Sequence, residues 1–509
     1  MQQRKPASDT SKNQLTPTQL RNARKRRAKQ LKRQQLHQRN DHKRRRGVSH
    51  EEDEDHYPDP SLQYIKQPTR APTVQQAKQF FSSKLDSFEI HSGPKHHWRT
   101  LVKLAVRDIN VVVANNNTHI ATEYQSRRRK RQLCLGLFAK KSHELIPNSC
   151  TSPLHHPKIN QAMERLEQLA RSLNVPAFQE GDQKNNDDDG GDPCLKYATA
   201  SLERRTQKVQ LTLIWQERKD KENSTLHRLT RALINEATTT TKTSSENTLL
   251  QSLWVHYHPC DFSIHNNSIY AIDGGRWETI FGPSHGTMEH ISRGRTHNID
   301  DEKEGPSPPL LYFPPNVFRQ ANIDAFSSIV QQIQTFLQKE ALDRLEQEKL
   351  PPKILELYGG VGTIGLNLAH LCSSLICSDE NPHNLACFEK SVVALEKTNP
   401  SAANSCRYVP HNATDMVRGR NAELYLHEAD WIVVDPPRKG LEPVVCQALC
   451  SAQQASVLVY VSCGFAAFAR DFQQLVRGGW NLVQASGHLL FPGSDVIETL
   501  AIFRYNPPS

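Results

Sequence analysis

The sequence predicts an α/β protein: a doubly wound, mostly parallel sheet over 310–509, preceded by an α+β region and a basic tail. Three observations predict it. From residue 310 onward, apolar strand-like runs alternate with helical stretches, the pattern of a parallel sheet. Several of those runs stop at Gly-rich, acidic or Pro-rich turns, where open sheets carry their ligands. The charge is also segregated. Residues 1–47 hold sixteen Lys and Arg against Asp9 and Asp41, leaving the other 462 residues at −4 in a chain of net +10.

A chain of 509 residues and 57.8 kDa has room for two to four domains. Its mean hydropathy of −0.65 averages core-like segments with long charged ones. No run of eighteen apolar residues occurs, which excludes a membrane-spanning helix, so no membrane partner is expected. The first thirty residues lack the apolar stretch of a secretory signal. Eleven cysteines, never spaced Cys-x-x-Cys, argue against a disulfide scaffold or a zinc ribbon and fit a reducing compartment.

Residues 1–60 read as a disordered basic tail. Thr16-Pro17 is a helix-start signal, but Leu20, Leu31 and Leu36 give that helix almost nothing to bury. Glu51 to Asp55 reverse the sign, and Pro58 and Pro60 close the tail. A detachable polycation points to a polyanion such as RNA, or to a nuclear address. Nucleus or cytoplasm is the expected location, with an organelle left open. A solvated arm without a specific role is the plainer alternative.

Residues 61–292 form the α+β region. Strands are expected at 98–113 (WRTLVKLAVRDINVVV), 133–138 and 209–215 (VQLTLIW). An amphipathic helix is expected at 159–173, apolar at Met163, Leu166, Leu169 and Leu173. The acidic stretch 180–192 and the Thr/Ser tract 238–245 read as inserted surface loops. The basic cluster 127–131 (RRRKR) suits a hairpin tip, solvated or touching RNA. A charged, Pro-rich linker follows at 293–309.

The last two hundred residues carry the chemistry. A strand at 353–357 (KILEL) runs into Tyr358-Gly359-Gly360-Val361-Gly362 and a helical run at 364–371. Glycines there let the backbone approach a ligand closely. The next strand, 375–378, ends at Asp379, about 20 positions past the turn, where such folds hold ribose hydroxyls. This spacing fits NAD and S-adenosylmethionine equally. A third strand, 431–434, ends at Asp435-Pro436-Pro437-Arg438-Lys439-Gly440, with prolines that stiffen the backbone beside the Asp. A fourth, 457–461, is apolar enough for burial on both faces and delivers Cys463 to the edge that carries Asp379 and Asp435. The other cysteines of this half, from Cys372 to Cys450, read as inert small hydrophobes.

Four segments in order, ELYGGVGTIGLNLA, VVDPPRKGL, VYVSCGFAAFARD and the terminal FPGSDVIETLAIF, resemble the motifs of the S-adenosylmethionine-dependent RNA uracil-5-methyltransferases. FPPNVFRQAN resembles the same family's Phe-x-Gln-x-Asn motif at Phe318, Gln320 and Asn322. The likeness covers about 310–509. Over 90–290 it is weaker, towards a central RNA-binding domain of the tRNA-type branch. It implies a Rossmann-like class I methyltransferase domain, S-adenosylmethionine as cofactor, RNA as partner (tRNA before rRNA), and a monomer. It further implies Cys463 as nucleophile and Glu498 as the base that accepts a proton. Gln320, Tyr358, Asp379 and Asp435 would line the cofactor and target-base site, with Asn412 or Asp415 facing adenine.

The pattern also departs from the family's. Gly464-Phe465 stands for the usual Asn-Pro, Gly359 for a Cys, and Val496 for a His. Cys134, Cys150, Cys194 and Cys260 lack the spacing of an iron–sulfur branch, so neither cluster nor metal is expected. No amino-terminal small β-barrel is recognised. A thiolate nucleophile calls for a lowered Cys463 pKa, with Arg438 and Arg470 as candidate cations. Two other readings compete: an RNA-binding or RNA-folding protein with an idle domain, and an amino methyltransferase. Intact Cys463, Glu498 and Asp435 argue against the first. Arg438, standing where the second has an aromatic, argues against it.

Overall fold

The computed structural model describes residues 59–112, 129–139, 142, 144–146, 149–179, 193–217, 223–239, 248–258, 275–291, 307–452 and 454–506. The basic tail, both low-complexity inserts and most of the 293–309 linker lie outside these, apart from their border residues.

The elements, in order, are α1 (Pro72–Phe81), β1 (Glu89–Ser92), β2 (Leu101–Val112), β3 (Arg129–Gly136), α2 (Pro157–Ser172), β4 (Cys194–Glu203), β5 (Lys208–Gln216), α3 (Ser224–Thr239), β6 (Leu250–His258), β7 (Arg276–Phe281), β8 (Thr287–His290) and β9 (Leu310–Phe313). There follow α4 (Ile323–Glu346), β10 (Lys353–Leu357), β11 (Ser374–Ser378), α5 (Asn384–Glu396), β12 (Cys406–Val409), β13 (Trp431–Val434), α6 (Pro443–Cys450), β14 (Val457–Ser462), α7 (Phe465–Arg477), β15 (Trp480–Leu489) and β16 (Glu498–Tyr505).

Two large sheets organise them. One has eight strands in the order β1-β15-β16-β14-β13-β10-β11-β12, parallel except for β16, which runs against both neighbours. The parallel strands are short and apolar because both their faces are covered. β13 (WIVV) and β14 (VLVYVS) are buried at every residue. α4 and α5 pack on one face; α1, α6 and α7 pack on the other. The strand order reverses between β10 and β13, so their carboxyl ends open a crevice at that switch point.

The second sheet has six strands in the order β3-β2-β4-β5-β6-β7. α2 and α3 cover one face through Met163, Leu166, Leu229 and Leu233. The expected strands and helix of this region are present, with bounds shifted by a few residues.

The boundary at 61–292 needs correction. Residues 68–92 belong to the eight-stranded sheet: β1 pairs in parallel with the edge strand β15, and α1 packs against α7. The reason is aromatic. Phe80 meets Phe465 and Phe472 edge-on at 5.6 and 5.1 Å, and Phe81 stacks on Phe88 at 4.4 Å. The sequence pattern shows α1 as an isolated short helix and cannot show which body it joins.

The two sheets meet at a buried ion network. Arg319, 3% exposed, donates to Glu289 at 2.7 Å, to Leu202 O at 2.7 Å and to Thr100 O at 3.2 Å. Glu289 also accepts from Arg204, which reaches Asp324 at the start of α4. Asn322 caps α4, accepting from Ala325 N–H, and donates to Leu490 O. Arg319 and Asn322, both in the Phe-x-Gln-x-Asn segment, thus tie the sheets together.

Candidate active site

The crevice is built on the turn after β10. Tyr358 and Gly360 hold positive φ of +58° and +57°. For Gly360 this is free; for Tyr358 it is backbone strain of the kind found at functional sites. The Tyr358 hydroxyl donates to Glu442, which also pairs with Lys439 at 2.7 Å. Gly360 N–H donates to Asp379 at 3.1 Å, and Asn381 N–H and Asn384 Nδ2 donate to its other oxygen. Asp379 is therefore fixed beside the glycine turn. Burial raises its pKa against those hydrogen bonds.

A pocket at the switch point is lined by Phe318, Gln320, Tyr358, Gly360, Thr363 and Asp435, among others. Three of the four expected cofactor residues therefore share it, and the fourth, Asp379, holds its glycine turn. Asn412 and Asp415 do not join them: they bond to each other at the cap of a short helix, at 2.8 Å.

Glu356, which the motif reading passed over, lies under the turn. It is 2% exposed and accepts from Gly365 N–H at 3.0 Å. Its signal was present: a carboxylate inside a strand buried on both faces must do something specific. A Cβ on Gly359 would meet Cys377 Sγ at 2.5 Å and the Glu356 carboxylate at 2.9 Å. Glycine in place of the usual Cys is thus required by Glu356 and Cys377.

The expected nucleophile and base stand at the end of β14 and the start of β16. Ser462 pairs with Thr499 in the antiparallel ladder, so Cys463 and Glu498 follow on opposite strands one step further. Each is electrostatically coupled to Asp435 and Arg438. A Cβ on Gly464 would approach Arg438 O to 2.3 Å, so the nucleophile turn leans on the Asp-Pro-Pro-Arg loop with no room for the usual Asn. Phe465 fills the place of the usual Pro as part of the aromatic cluster with α1.

The expected low Cys463 pKa is contradicted. Burial, then the charges of Glu498 and Asp435, push the thiol up to about 12; Arg438 opposes them. Arg470 is not a candidate, being bound to Asp471, Lys439 O and Leu441 O. The carboxylates share the effect. Burial and the charges of Glu356 and Asp379 raise Asp435 to about 7, and burial and Asp435 hold Glu498 well above the usual range.

Burial likewise raises Glu356 to about 7. The folded protein therefore binds protons more tightly than the unfolded chain, and stability falls as pH rises from about 4.5 through 7. Thermal unfolding should show Tm decreasing over that window, with a shallower slope in Glu356→Gln. An identical slope in the variant rules out Glu356 as a source.

The turn, the acidic partner and the switch-point pocket suit a nucleoside cofactor. Gly360 is open, with nothing within 4 Å of a Cβ placed there, so a ligand can reach its backbone. The fold is Rossmann-like, the architecture expected of a class I methyltransferase domain.

Comparison with known proteins shows what the chain is similar to. No protein-family model matches the chain. A protein of Protochlamydia amoebophila, described as an uncharacterized RNA methyltransferase, is 29% identical over 419 residues, 82% of this chain and 88% of that one. The 23S rRNA (uracil(1939)-C(5))-methyltransferase RlmD of Alkalilimnicola ehrlichii is 31% identical over 204 residues, 38% of this chain and 40% of that one. RlmC of Shewanella putrefaciens, a 23S rRNA (uracil(747)-C(5))-methyltransferase, is 27% identical over 38% of this chain and 44% of its own. The match thus spans most of the first relative and about two fifths of the other two. Among solved structures, the tRNA (uracil-54, C5)-methyltransferase of Pyrococcus abyssi, in complex with S-adenosyl-L-homocysteine, superposes with a TM-score of 0.51 at 18% identity, over 88% of this chain and 83% of that one. That likeness is one of fold. The chain is thus similar to proteins named as RNA methyltransferases, among them uracil-C5 methyltransferases of rRNA, and shares the fold of one that acts on tRNA.

Proposed function

We propose that this enzyme methylates carbon 5 of a uridine in tRNA, through a covalent bond between Cys463 and carbon 6 of the base. The observation that supports the reading is the placement of Cys463, one residue past β14, opposite Glu498 at the start of the adjacent β16, both within electrostatic reach of Asp435, which lines the pocket.

Carbon 5 of uracil is too weak a nucleophile to take a methyl group unaided. Addition of the Cys463 thiolate to carbon 6 makes an enolate whose electron density lies on carbon 5. S-adenosylmethionine, when bound, supplies the electrophilic methyl and a positive sulfonium charge. Tyr358, Gly360 and Asp379 would hold it, with Gln320 and Asp435 on the side of the base. Glu498, in its ionised form, then takes the hydrogen on carbon 5 as a proton, and the electron pair left behind forms the carbon 5–carbon 6 double bond as the carbon 6–sulfur bond breaks to return the thiolate. Arg438 offsets the two carboxylates at the thiol. A base held inside a stack must be turned out to reach this site.

The test is nucleoside mass spectrometry of tRNA and rRNA from cells lacking the protein. Loss of 5-methyluridine from tRNA is expected. Loss from rRNA alone moves the substrate to rRNA, and unchanged levels in both refute the reading.

A further inference from the structure

Glu498 is the first residue of β16, so the ladder fixes the chain only from this residue onward: Glu498 pairs with His488 and Thr499 with Gly487. Before it the chain is irregular, and residues 490–497 turn from the end of β15 back into β16. A proton acceptor works over hydrogen-bond distances, and a shift of about 1 Å is enough to misplace it. Whatever holds this turn therefore bears on the base. Its first residue is held from the side of α4, where Leu490 O accepts from Asn322. The rest is gripped by residues 61–98, from the opposite end of the described chain. Tyr64 N–H donates to Gly493 O at 2.8 Å. Gly493 has a φ of +103°, and a Cβ there would meet Ser61 O at 2.4 Å, so the grip requires glycine. Phe491 meets Trp98 edge-on at 5.5 Å, and Ile497, 2% exposed, comes together with Phe88 and Ile90 over Gly487.

Asp495 makes the remaining contact, and its chemistry is that of a helix cap. The first N–H groups of a helix have no partner inside it. α1 starts at Pro72, and its N-cap residue, Ala71, has no side chain that can accept a hydrogen bond. Asp495 takes that place from 422 positions away: Thr73 N–H donates to Asp495 Oδ1 at 2.8 Å, and the Thr73 hydroxyl donates to Asp495 O at 3.4 Å. A carboxylate also suits the positive end of the helix. α1 itself is anchored by its aromatic cluster with α7, so the cap ties the turn to a fixed body. Asp495 is exposed, fills no part of the core, and stands three residues before Glu498.

We infer that Asp495 is a positioning residue for Glu498: by capping α1 it fixes the turn that aims the base at carbon 5. The inference rests on the roles proposed above for Cys463 and Glu498 and adds what holds the base in place. It makes the α1 segment, distant in sequence, part of the reaction. With the cap removed, addition of the thiolate and transfer of the methyl group proceed, since neither step uses Glu498. Removal of the carbon 5 proton slows, and the methylated ring stays joined to Cys463 for longer.

The test compares Asp495→Ala, Asp495→Asn and the double variant Asp495→Ala/Ala71→Ser in the full chain, on unmodified tRNA and rRNA transcripts. In Asp495→Ala, turnover at saturating RNA should fall on the order of tenfold, with KM for RNA and Kd for S-adenosylmethionine unchanged. A Cys463–RNA adduct should build up on ordinary uridine, seen as a slow band in a denaturing gel. Asp495→Asn keeps the accepting oxygen and should turn over near the wild-type rate. Ala71→Ser gives α1 a cap of its own. In the double variant Tm should therefore return towards wild type while turnover stays low and the adduct remains. Turnover that recovers together with Tm reduces Asp495 to a stabilising cap and overturns the inference, as does near-normal turnover without adduct in Asp495→Ala. If Tm does not return, the gel run on protein held well below its Tm decides: an adduct supports the inference and none overturns it. Failure of the underlying reading shows in the wild type instead, which would then neither transfer a methyl group nor form an adduct with RNA bearing 5-fluorouracil.

Discussion

Cys463→Ala is expected to abolish methyl transfer, by a factor on the order of 10⁴ or more, while affinity for RNA stays near wild type. Without the thiolate no electron density is delivered to carbon 5, and no neighbouring group can replace it. Glu498 and Asp435 are oxygen acids held towards their neutral forms, and Arg438 is a cation. The same variant should lose the covalent adduct that RNA bearing 5-fluorouracil forms with the wild type, since fluorine at carbon 5 blocks the final proton loss. The rate of adduct formation should climb with pH through the neutral range, because the thiol, raised to about 12, gains thiolate with every step towards alkali. Methylation that survives in Cys463→Ala would sink the assignment.

The second large effect belongs to the base. In Glu498→Gln, turnover should fall on the order of 10²- to 10⁴-fold. The Cys463–RNA adduct should accumulate on ordinary uridine, seen as a slow band in a denaturing gel. The adduct forms because Glu498 acts after the methyl group has moved, and it persists because an amide cannot take the proton from carbon 5. The structure adds a sharper expectation. Glu498 is the largest charge raising the Cys463 pKa, after burial itself. At pH values high enough to ionise Glu498, its replacement by Gln should therefore shift the pH profile of adduct formation to lower pH. Near-normal turnover in this variant, or a profile moved towards alkali, assigns the proton to another group.

Several features of the site were legible before any coordinates. β10, β11, β13 and β14 announce themselves as short apolar runs, and each ends in a residue type that a buried strand would not carry for packing alone: Tyr358, Asp379, Asp435 and Cys463. Parallel strands all deliver their carboxyl ends to one edge, so the topology does the rest. Glu498 is different. It opens an antiparallel strand, and only the resemblance singled it out; the pairing of Ser462 with Thr499 sets it opposite Cys463.

Other features needed the tertiary structure, for three physical reasons. The sign of a pKa shift depends on the whole charge environment. The sequence offers Arg438 and Arg470 as cations near Cys463, but Arg470 is spent on Asp471, and two carboxylates lie closer in effect than a chain reading can show. Departures from a motif make sense only against their neighbours in space. Gly359 is set by Glu356 and Cys377, and Gly464 by Arg438 O, contacts made across 18 and 26 positions of the chain.

Docking of distant segments is the third reason. The residues of α1 carry helical propensity and a few apolar side chains, which fix that a helix forms. The closed aromatic cluster with Phe465 and Phe472 decides where it goes, and that cluster exists only once the eight-stranded sheet has brought α7 beside it. The sequence by itself thus determined the strands, their order and the chemistry at their ends, because backbone periodicity and residue type are local. The tertiary structure decided protonation, the fit of the departures and the place of α1, because fields and packing act through space.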